Sequence, residues 1–302
     1  AVRGGGSRVK IFCPAKINLY LKVLGRRPDG YHELRTVMVP LAFGDTIDIH
    51  RTSRGIELDA ADCGCTPAEN LAFRAARLFF DTTGAPGGVR MRIHKRIPVG
   101  AGLGGGSSDA SGVLLALNEM FGTGMDAGAL AQTAKALGAD CPFFIYRRPM
   151  FLGSRGDVPI AEIALEERSY LIVVPPVHVS TARVFAKMGL HLTRGIVKDI
   201  MNTYSNQCIV PEHWVENDLE SATFDLYPEI AGIRDELIGA GALRAGMSGS
   251  GSAFFGIFAT QDHMRHAMGR LRRHEGYVYI PTTRMTGDMY GDHRGQGVSG
   301  QG

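Results

Sequence analysis

A glycine-rich stretch between a predicted strand and a predicted helix constrains this chain more than any other feature. The stretch PVGAGLGGGSSDA begins at Pro98, and five of the seven residues from Gly100 to Gly106 are glycine. Glycine is favoured where the backbone needs a positive φ, or where another group approaches closer than a Cβ allows. Phosphate is the commonest such group. The stretch therefore predicts a loop that binds an anion.

The residues that follow predict a helix, so the loop ends at a helix N-terminus. Ser107, Ser108 and Asp109 are of the types that cap helices. Apolar residues then recur at helical spacing, at Val113, Leu114, Leu117, Met120 and Phe121. The free N–H groups and the positive end of the helix dipole favour an anion at this place.

Composition and charge exclude several classes of protein. The chain has 33 lysines and arginines against 30 aspartates and glutamates, and a net charge of +3 over 302 residues is too small for a nucleic-acid-binding surface. No apolar run approaches the roughly 20 residues that span a bilayer, and the first residues have no signal-peptide core. Five dispersed cysteines do not make a disulfide framework, and Cys63 with Cys65 lacks the partners of a metal site. We expect a cytoplasmic protein that binds neither nucleic acid nor membrane and has no metal ligands of its own.

The N-terminal segment predicts a strand and a turn with polar residues. Apolar and polar residues alternate up to Val23, so Lys16 and Asn18 share one face of a strand. A Pro-Asp-Gly turn then leads to Tyr31 and His32.

Further strands are predicted over residues 37–41, 46–50 and 89–99, and helices over 70–80 and 127–137. Lys95 falls among the apolar positions of the strand over 89–99, which indicates a buried stem, a bulge, or a charge directed into a site. Asp140 stands two residues before Pro142. This position is typical of a helix N-cap, and catalysis is the alternative interpretation.

The composition changes near residue 162, which predicts a domain boundary between 155 and 168. A strand is predicted over residues 170–174. A second glycine-serine cluster, GMSGSGSAFFGIF, begins at Gly246 and ends in an apolar strand. Such a cluster is a tight turn by itself, or, beside the first loop, part of a substrate or phosphate site. The ends of the chain, with Gly4 to Gly6 and the residues from Gly291, are predicted to be disordered.

The spacing of glycine, lysine and acidic residues distinguishes between the known kinds of phosphate-binding loop. A Walker A loop ends in Gly-Lys, a dipeptide that this chain does not contain. A dinucleotide fingerprint fits Gly100, Gly102 and Gly105, but its acidic residue would be Glu119, which lies inside the predicted helix. The H-R-D and D-F-G strings of protein kinases are absent, and so is the G-x-S-x-G string of the serine-hydrolase nucleophile elbow.

Three motifs in order resemble those of the GHMP kinases, which include galactokinase, homoserine kinase and mevalonate kinase. They are PAKINLYLKV from Pro14, the loop described above, and GMSGSGSAFFGIF. The strings RPDGYHEL and LGADCPFF are similar to those of members that phosphorylate a cytidine diphosphate alcohol in isoprenoid precursor synthesis. The resemblance runs from about Ile11 to the strand after Gly251.

The resemblance implies an α+β fold with two domains. It implies an ATP-binding domain over residues 1–165, similar to domain 2 of ribosomal protein S5, and a ferredoxin-like substrate domain over 166–290. Residues 291–302 would be the disordered tail. Either a monomer or a homodimer is compatible with the family.

The resemblance also implies catalytic and ATP-binding residues. Asp140 matches the general base that accepts the proton of the attacking hydroxyl group. Lys16 matches the lysine that keeps this carboxylate ionised and offsets charge on the transferred phosphoryl group. ATP with Mg²⁺ would lie against Pro98, Val99, Gly100, Ala101, Gly102, Leu103, Gly104, Gly105, Gly106, Ser107 and Ser108.

Substrate contacts are implied in both halves of the chain. Tyr31 and His32 match residues that bind cytidine, with Phe185 as the candidate for the opposite side of the base and His32 for hydrogen bonds that select cytosine. The other candidates are Asn18, Lys95, Thr181, Gly249 and Ser250. Residues 151–159 and 195–220 depart from the usual pattern of the family.

Three other functions stay open on the sequence alone. The first is another small-alcohol kinase of this superfamily, acting on homoserine or mevalonate, although the DGYH string argues against it. The second is a nicotinamide-dependent oxidoreductase. The third is a nucleotide-binding module without activity, against which the presence of both Lys16 and Asp140 argues.

Overall fold

The structure, a computed structural model, describes residues 7–60, 63–188, 215–271 and 274–286. The glycine-rich start of the chain, the tail over 291–302 and most of the divergent segment over 195–220 lie outside these ranges.

A seven-stranded sheet dominates the first half of the chain. Its strands are β1 (Arg8–Arg26), β2 (His32–Thr52), β3 (Gly55–Asp59), β4 (Gly88–His94), β5 (Met150–Gly153), β6 (Val158–Glu162) and the short β8 (Glu216–Asn217). The order is β3-β4-β2-β1-β8, and β5 pairs with β2 and β6. Four helices accompany this sheet: α1 (Leu71–Thr83), α2 (Gly105–Phe121), α3 (Ala127–Ala134) and α4 (Cys141–Tyr146). They bury apolar residues of β1, β2 and β4 in one core.

A four-stranded antiparallel sheet follows. Its strands are β7 (Ser169–Val174), β9 (Arg244–Met247), β10 (Phe254–Phe258) and β11 (Val278–Thr283). They are accompanied by α5 (Thr181–Met188), α6 (Leu219–Leu226), α7 (Ile233–Gly239) and α8 (Gln261–Arg270). The order β11-β7-β10-β9 places the four strands in the sequence 4-1-3-2. Two βαβ units whose strands take this order make a ferredoxin-like sheet, which confirms the expected α+β fold.

The two sheets share a core. Ile17 of β1 and Val39 of β2 belong to the same buried cluster as Ile172 of β7 and Phe255 of β10. The boundary predicted at residue 165 falls between β6 and β7, whereas β8 joins the larger sheet from the other half of the chain. The division at residue 165 stays a prediction.

Several predicted bounds were wrong for local physical reasons. The strands expected over 37–41 and 46–50 are one strand, β2. The helix after the glycine loop, for which Ser107 to Asp109 were the candidate caps, already begins at Gly105, because Gly104 takes φ +72° and Ser108 N–H donates to the Gly104 carbonyl at 2.9 Å. The strand expected over 89–99 ends at His94, because the N–H groups of the next residues donate to a carboxylate instead of a strand.

Candidate active site

A large cavity lies where the glycine loop, the two sheets and the turn at Tyr31 meet. Its volume is about 1470 Å³, more than the 300–1000 Å³ typical of one ligand, so two substrates fit side by side. Nearly every site residue expected from the sequence lines it: the loop from Pro98 to Ser107, with Lys16, Asn18, Tyr31, His32, Lys95, Asp140, Thr181, Phe185, Gly249 and Ser250. Ser108 is not part of the lining and is buried in α2.

The two glycine clusters pack directly on each other. Ala253 N–H donates to the Ala101 carbonyl at 3.0 Å, and Ser248 Oγ donates to the Gly102 carbonyl at 3.1 Å. Gly102 has φ +79°, and a Cβ there would lie 2.8 Å from the Gly251 carbonyl oxygen. Glycine is therefore required at 102 for both its conformation and this close approach. The second cluster forms a wall of the same cavity as the first.

The glycine loop delivers a helix N-terminus to the cavity. Gly104 takes a left-handed conformation, and the ring of Phe144 and the stem of Lys16 lie where its Cβ would be. The next residues begin α2, and the first N–H groups of a helix have no partner within it. The positive end of the helix dipole adds to these donors, so the loop is suited to a phosphate group.

Lys16, Asn18 and Asp140 form a polar cluster in the cavity. Lys16 Nζ donates to Asn18 Oδ1 at 2.6 Å, which confirms that the two side chains share a face of β1. Lys16 Nζ also lies 3.5 Å from Asp140 Oδ2. Asn18 Nδ2 in turn donates to Thr36 Oγ1 at 2.8 Å, so neighbouring strands hold the amide. The lysine and the amide are almost fully buried, so their donors are fixed in direction.

The side chain of Asp140 does not cap its own helix, which was one of the two roles considered for it. It occupies the N-cap position of α4, yet its side chain makes no capping hydrogen bond within the described residues. About 30% of the side chain is exposed, and the residue lines the cavity. Its carboxylate is directed to Lys16 rather than to the backbone of its helix, an arrangement that leaves lone pairs for a proton.

Lys95 is held between two buried carboxylates. Its Nζ lies 2.6 Å from Asp45 Oδ2 and 2.9 Å from Asp109 Oδ2, and only 10% of its side chain is exposed. Burial by itself would lower the pKa of Lys95, but the charges of Asp109 and Asp45 raise it above its ordinary value. Burial, and then the charge of Asp45, raise the pKa of Asp109 to about 7. Lys95 is thus a counterion inside the fold, and its contact with substrate stays a prediction.

The end of the cavity formed by the β1–β2 turn is aromatic. His32 stacks on Phe185, with ring centroids 4.8 Å apart and planes 24° from parallel, and Tyr31 is 56% exposed. Phe185 thus packs on His32, and its place on the opposite side of a bound base stays a prediction. Burial, and then the charge of Arg26, lower the pKa of His32, so the ring is neutral at pH 7. Beside them Thr181 Oγ1 and Ser250 Oγ form a hydrogen bond of 2.7 Å.

Three further residues of the site were missed by sequence reasoning. Asn217 Nδ2 donates to the carbonyls of Met247 and Gly249, at 2.8 and 2.7 Å, and so fixes the second glycine cluster. His178 and Arg155 line the cavity. None of the three belongs to a motif or a periodic pattern in the sequence. They are identified only by where the fold places them, next to the second glycine cluster or in the lining of the cavity.

Within the part of the chain that the structure describes, no three His, Cys, Asp or Glu side chains are grouped as metal ligands. Over the same residues, no helix is both long enough and apolar enough to cross a membrane.

Comparisons with known proteins agree with the fold. Residues 70–148 match the model of the GHMP kinases N terminal domain, and residues 200–276 match that of the GHMP kinases C terminal. A 4-diphosphocytidyl-2-C-methyl-D-erythritol kinase of Syntrophotalea carbinolica is 40% identical over 87% of this chain and 94% of its own length. The kinase of the same name from Syntrophus aciditrophicus is 37% identical over 86% of this chain and 93% of its own.

A solved structure is similar over nearly the whole chain. The crystal structure of a 4-(cytidine 5'-diphospho)-2C-methyl-D-erythritol kinase superposes with a TM-score of 0.76 at 36% identity, covering 92% of this chain and 100% of that one. The similarity thus extends over nearly the whole chain and is not confined to the glycine loop. The chain therefore belongs to the GHMP kinases, in the family of the 4-diphosphocytidyl-2-C-methyl-D-erythritol kinases.

Proposed function

We propose that this protein transfers the γ-phosphoryl group of ATP to the 2-hydroxyl group of 4-diphosphocytidyl-2-C-methyl-D-erythritol, in the non-mevalonate synthesis of isoprenoid precursors. The observation that carries the proposal is the Lys16–Asp140 pair, which lies in the same cavity as the glycine loop with 3.5 Å between Nζ and Oδ2. The names and the extent of similarity of the relatives give the substrate.

Asp140 acts as the general base. Its partly exposed carboxylate accepts the proton of the 2-hydroxyl as that oxygen attacks the γ-phosphorus. Lys16 Nζ, 3.5 Å from Asp140 Oδ2, stabilises the negative charge that moves onto the transferred group. Asn18 holds the Lys16 ammonium through the bond of 2.6 Å, so this cation does not reorganise during the reaction.

The glycine loop binds the phosphates of ATP with the N–H groups at the start of α2. Mg²⁺ bound with ATP would neutralise phosphate charge. Among the described residues no three His, Cys, Asp or Glu side chains are grouped as ligands, and Ser107 lines the cavity, so phosphate oxygens, water and Ser107 would supply the oxygen ligands. This set suits Mg²⁺, which keeps several waters.

The aromatic end of the cavity binds the cytidine. Tyr31 offers an exposed ring on which a pyrimidine stacks, and stacking is tolerant of base identity. Neutral His32 offers one donor and one acceptor nitrogen, and their hydrogen bonds to the edge of the base select cytosine. We extend the proposal to a cytoplasmic location, and to action as a monomer or homodimer.

The first experiment measures ADP release with Mg-ATP against the cytidine diphosphate alcohol, homoserine, mevalonate and galactose. We expect turnover with the first only. Asp140→Asn should lower kcat by about 10²- to 10⁴-fold, the usual contribution of a positioned base.

A matched control is available in the same domain. Asp126 is also a helix N-cap aspartate, but its side chain does cap α3, accepting from Ala129 N–H at 2.8 Å. Asp126→Asn should therefore leave kcat unchanged, which separates the loss of the base from the loss of an aspartate at a helix N-cap. Turnover with a different alcohol would contradict the substrate, and full activity of Asp140→Asn would contradict the base.

A further inference from the structure

The hairpin of β5 and β6 is joined to the β1–β2 turn that carries Tyr31. Leu34 N–H donates to the Ser154 carbonyl at 2.6 Å, Ser154 N–H donates to Glu33 Oε1 at 3.2 Å, and Arg27 Nη1 donates to Ser154 Oγ at 3.0 Å. Ser154 has φ +59°, a conformation that is unfavourable for a residue with a side chain. These three bonds hold the turn in that shape.

This turn places Arg155 over the ring of Tyr31. The guanidinium carbon lies 4.8 Å from the ring centroid, within the range of a cation–π contact. Arg155 Nε and Nη2 both donate to Asp157 Oδ2, at 3.2 and 2.9 Å. The guanidinium is thus held from one edge while one of its faces covers the tyrosine.

Asp157 anchors the arrangement inside the fold. Its side chain has no exposed surface, and Nζ of Lys135, the C-cap residue of α3, lies 3.1 Å from the same Oδ2. Burial by itself would raise the pKa of Asp157, but hydrogen bonds from Arg155 and Lys135 keep it below the ordinary value. The anchor is therefore ionised at neutral pH, and the guanidinium keeps its partner over the working range of the enzyme.

We propose that Arg155 is a positioning residue for the nucleobase end of the substrate, acting through the ring of Tyr31. The inference rests on the proposed function, because it assumes that a cytosine stacks on Tyr31. Arg155 covers one side of an otherwise exposed ring and limits its rotamers, so part of the conformational entropy of binding is lost before the substrate arrives. The other side of the ring is left to the base.

The consequence is an effect on substrate affinity and not on chemistry. Arg155 is bound to Asp157 and Tyr31, whereas the reacting groups are assigned to Lys16 and Asp140. Loss of the guanidinium should weaken binding of the cytidine substrate by about two- to fivefold, which is the size of an exposed cation–π contact. The kcat and the KM for ATP should not change.

The test compares Arg155→Met with Arg148→Met. Arg148 lies before β5 and also pairs with a carboxylate, 2.8 Å to Glu162, but this pair is exposed and Arg148 does not line the cavity. Both variants are assayed for KM and kcat, and for binding of cytidine 5'-diphosphate by calorimetry. We expect the two- to fivefold loss in Arg155→Met alone, both in KM for the cytidine substrate and in affinity for the diphosphate.

A second background shows whether Arg155 acts through the ring. In Tyr31→Leu, the further change Arg155→Met should have no effect on cytidine 5'-diphosphate binding. An equal loss in both backgrounds would mean that the guanidinium contacts the ligand directly, and would overturn the positioning role. Unchanged affinity in Arg155→Met, or a lowered kcat, would overturn it as well. A wild-type protein that neither binds the diphosphate nor phosphorylates the alcohol would contradict the proposed function instead.

Discussion

Replacing Lys95 by methionine tests the buried charge cluster beside the glycine loop. The change keeps the length of the apolar stem and removes the ammonium that lies 2.6 and 2.9 Å from two buried carboxylates. Removing one partner of a buried ion pair costs about 3–5 kcal/mol, because a buried charge is left uncompensated. With about 2 °C per kcal/mol for a chain of this size, the melting temperature should fall by about 6–10 °C.

The pH dependence of this loss follows from Asp109. Its pKa is about 7 in the folded protein and 3.8 in an unfolded chain, so the unfolded state loses its proton first as pH rises. The contribution of Asp109 to the free energy of unfolding is therefore fully present below about pH 4 and is lost as pH rises toward 7. Without Lys95 the pKa rises further, and the loss continues above pH 7. The difference between wild type and Lys95→Met should be larger at pH 8.5 than at pH 5.

The assay is thermal unfolding followed by circular dichroism at both pH values. Adding Asp109→Asn to Lys95→Met removes one of the two uncompensated charges, and it should recover much of the loss at pH 8.5. A fall of less than 2 °C at pH 8.5, or a larger fall at pH 5, would refute the reasoning about this cluster. Steady-state kinetics on the same variant at pH 5.5 then tests separately whether Lys95 contacts a substrate.

Two other predictions concern the loop and the cytidine end. Gly102→Ala should lower kcat/KM for ATP at least tenfold and the free energy of unfolding by about 2 kcal/mol, because φ is +79° and the new Cβ would overlap the Gly251 carbonyl. Gly239 is a helical glycine with open space around it, so Gly239→Ala should change neither quantity. Steady-state kinetics and thermal unfolding of the two variants test this. Under the proposed role of neutral His32 in binding cytosine, KM for the cytidine substrate should be constant from pH 7 to 8.5 and rise as pH falls through the lowered pKa of His32, below 6.5. The pH profile of His32→Gln should lack that rise.

The sequence determined those features of the protein that depend on local physics. Five glycines before a helical pattern predicted a loop at a helix N-terminus, and alternation along β1 predicted that Lys16 and Asn18 share a face. The resemblance of three ordered motifs added the family and the fold, which the comparisons confirm.

Only the tertiary structure decided how distant segments meet, because packing and charge pairing between them leave no periodic signal in the chain. Strand β4 ends at His94 because Asp45, about fifty positions earlier, accepts the N–H groups of Arg96 and Ile97. Asp140 occupies a position typical of a helix cap, and its salt bridge to Lys16 is what directs it into the cavity. Arg155 reaches Tyr31 only because two hairpins are hydrogen-bonded together, and no local pattern could predict that contact.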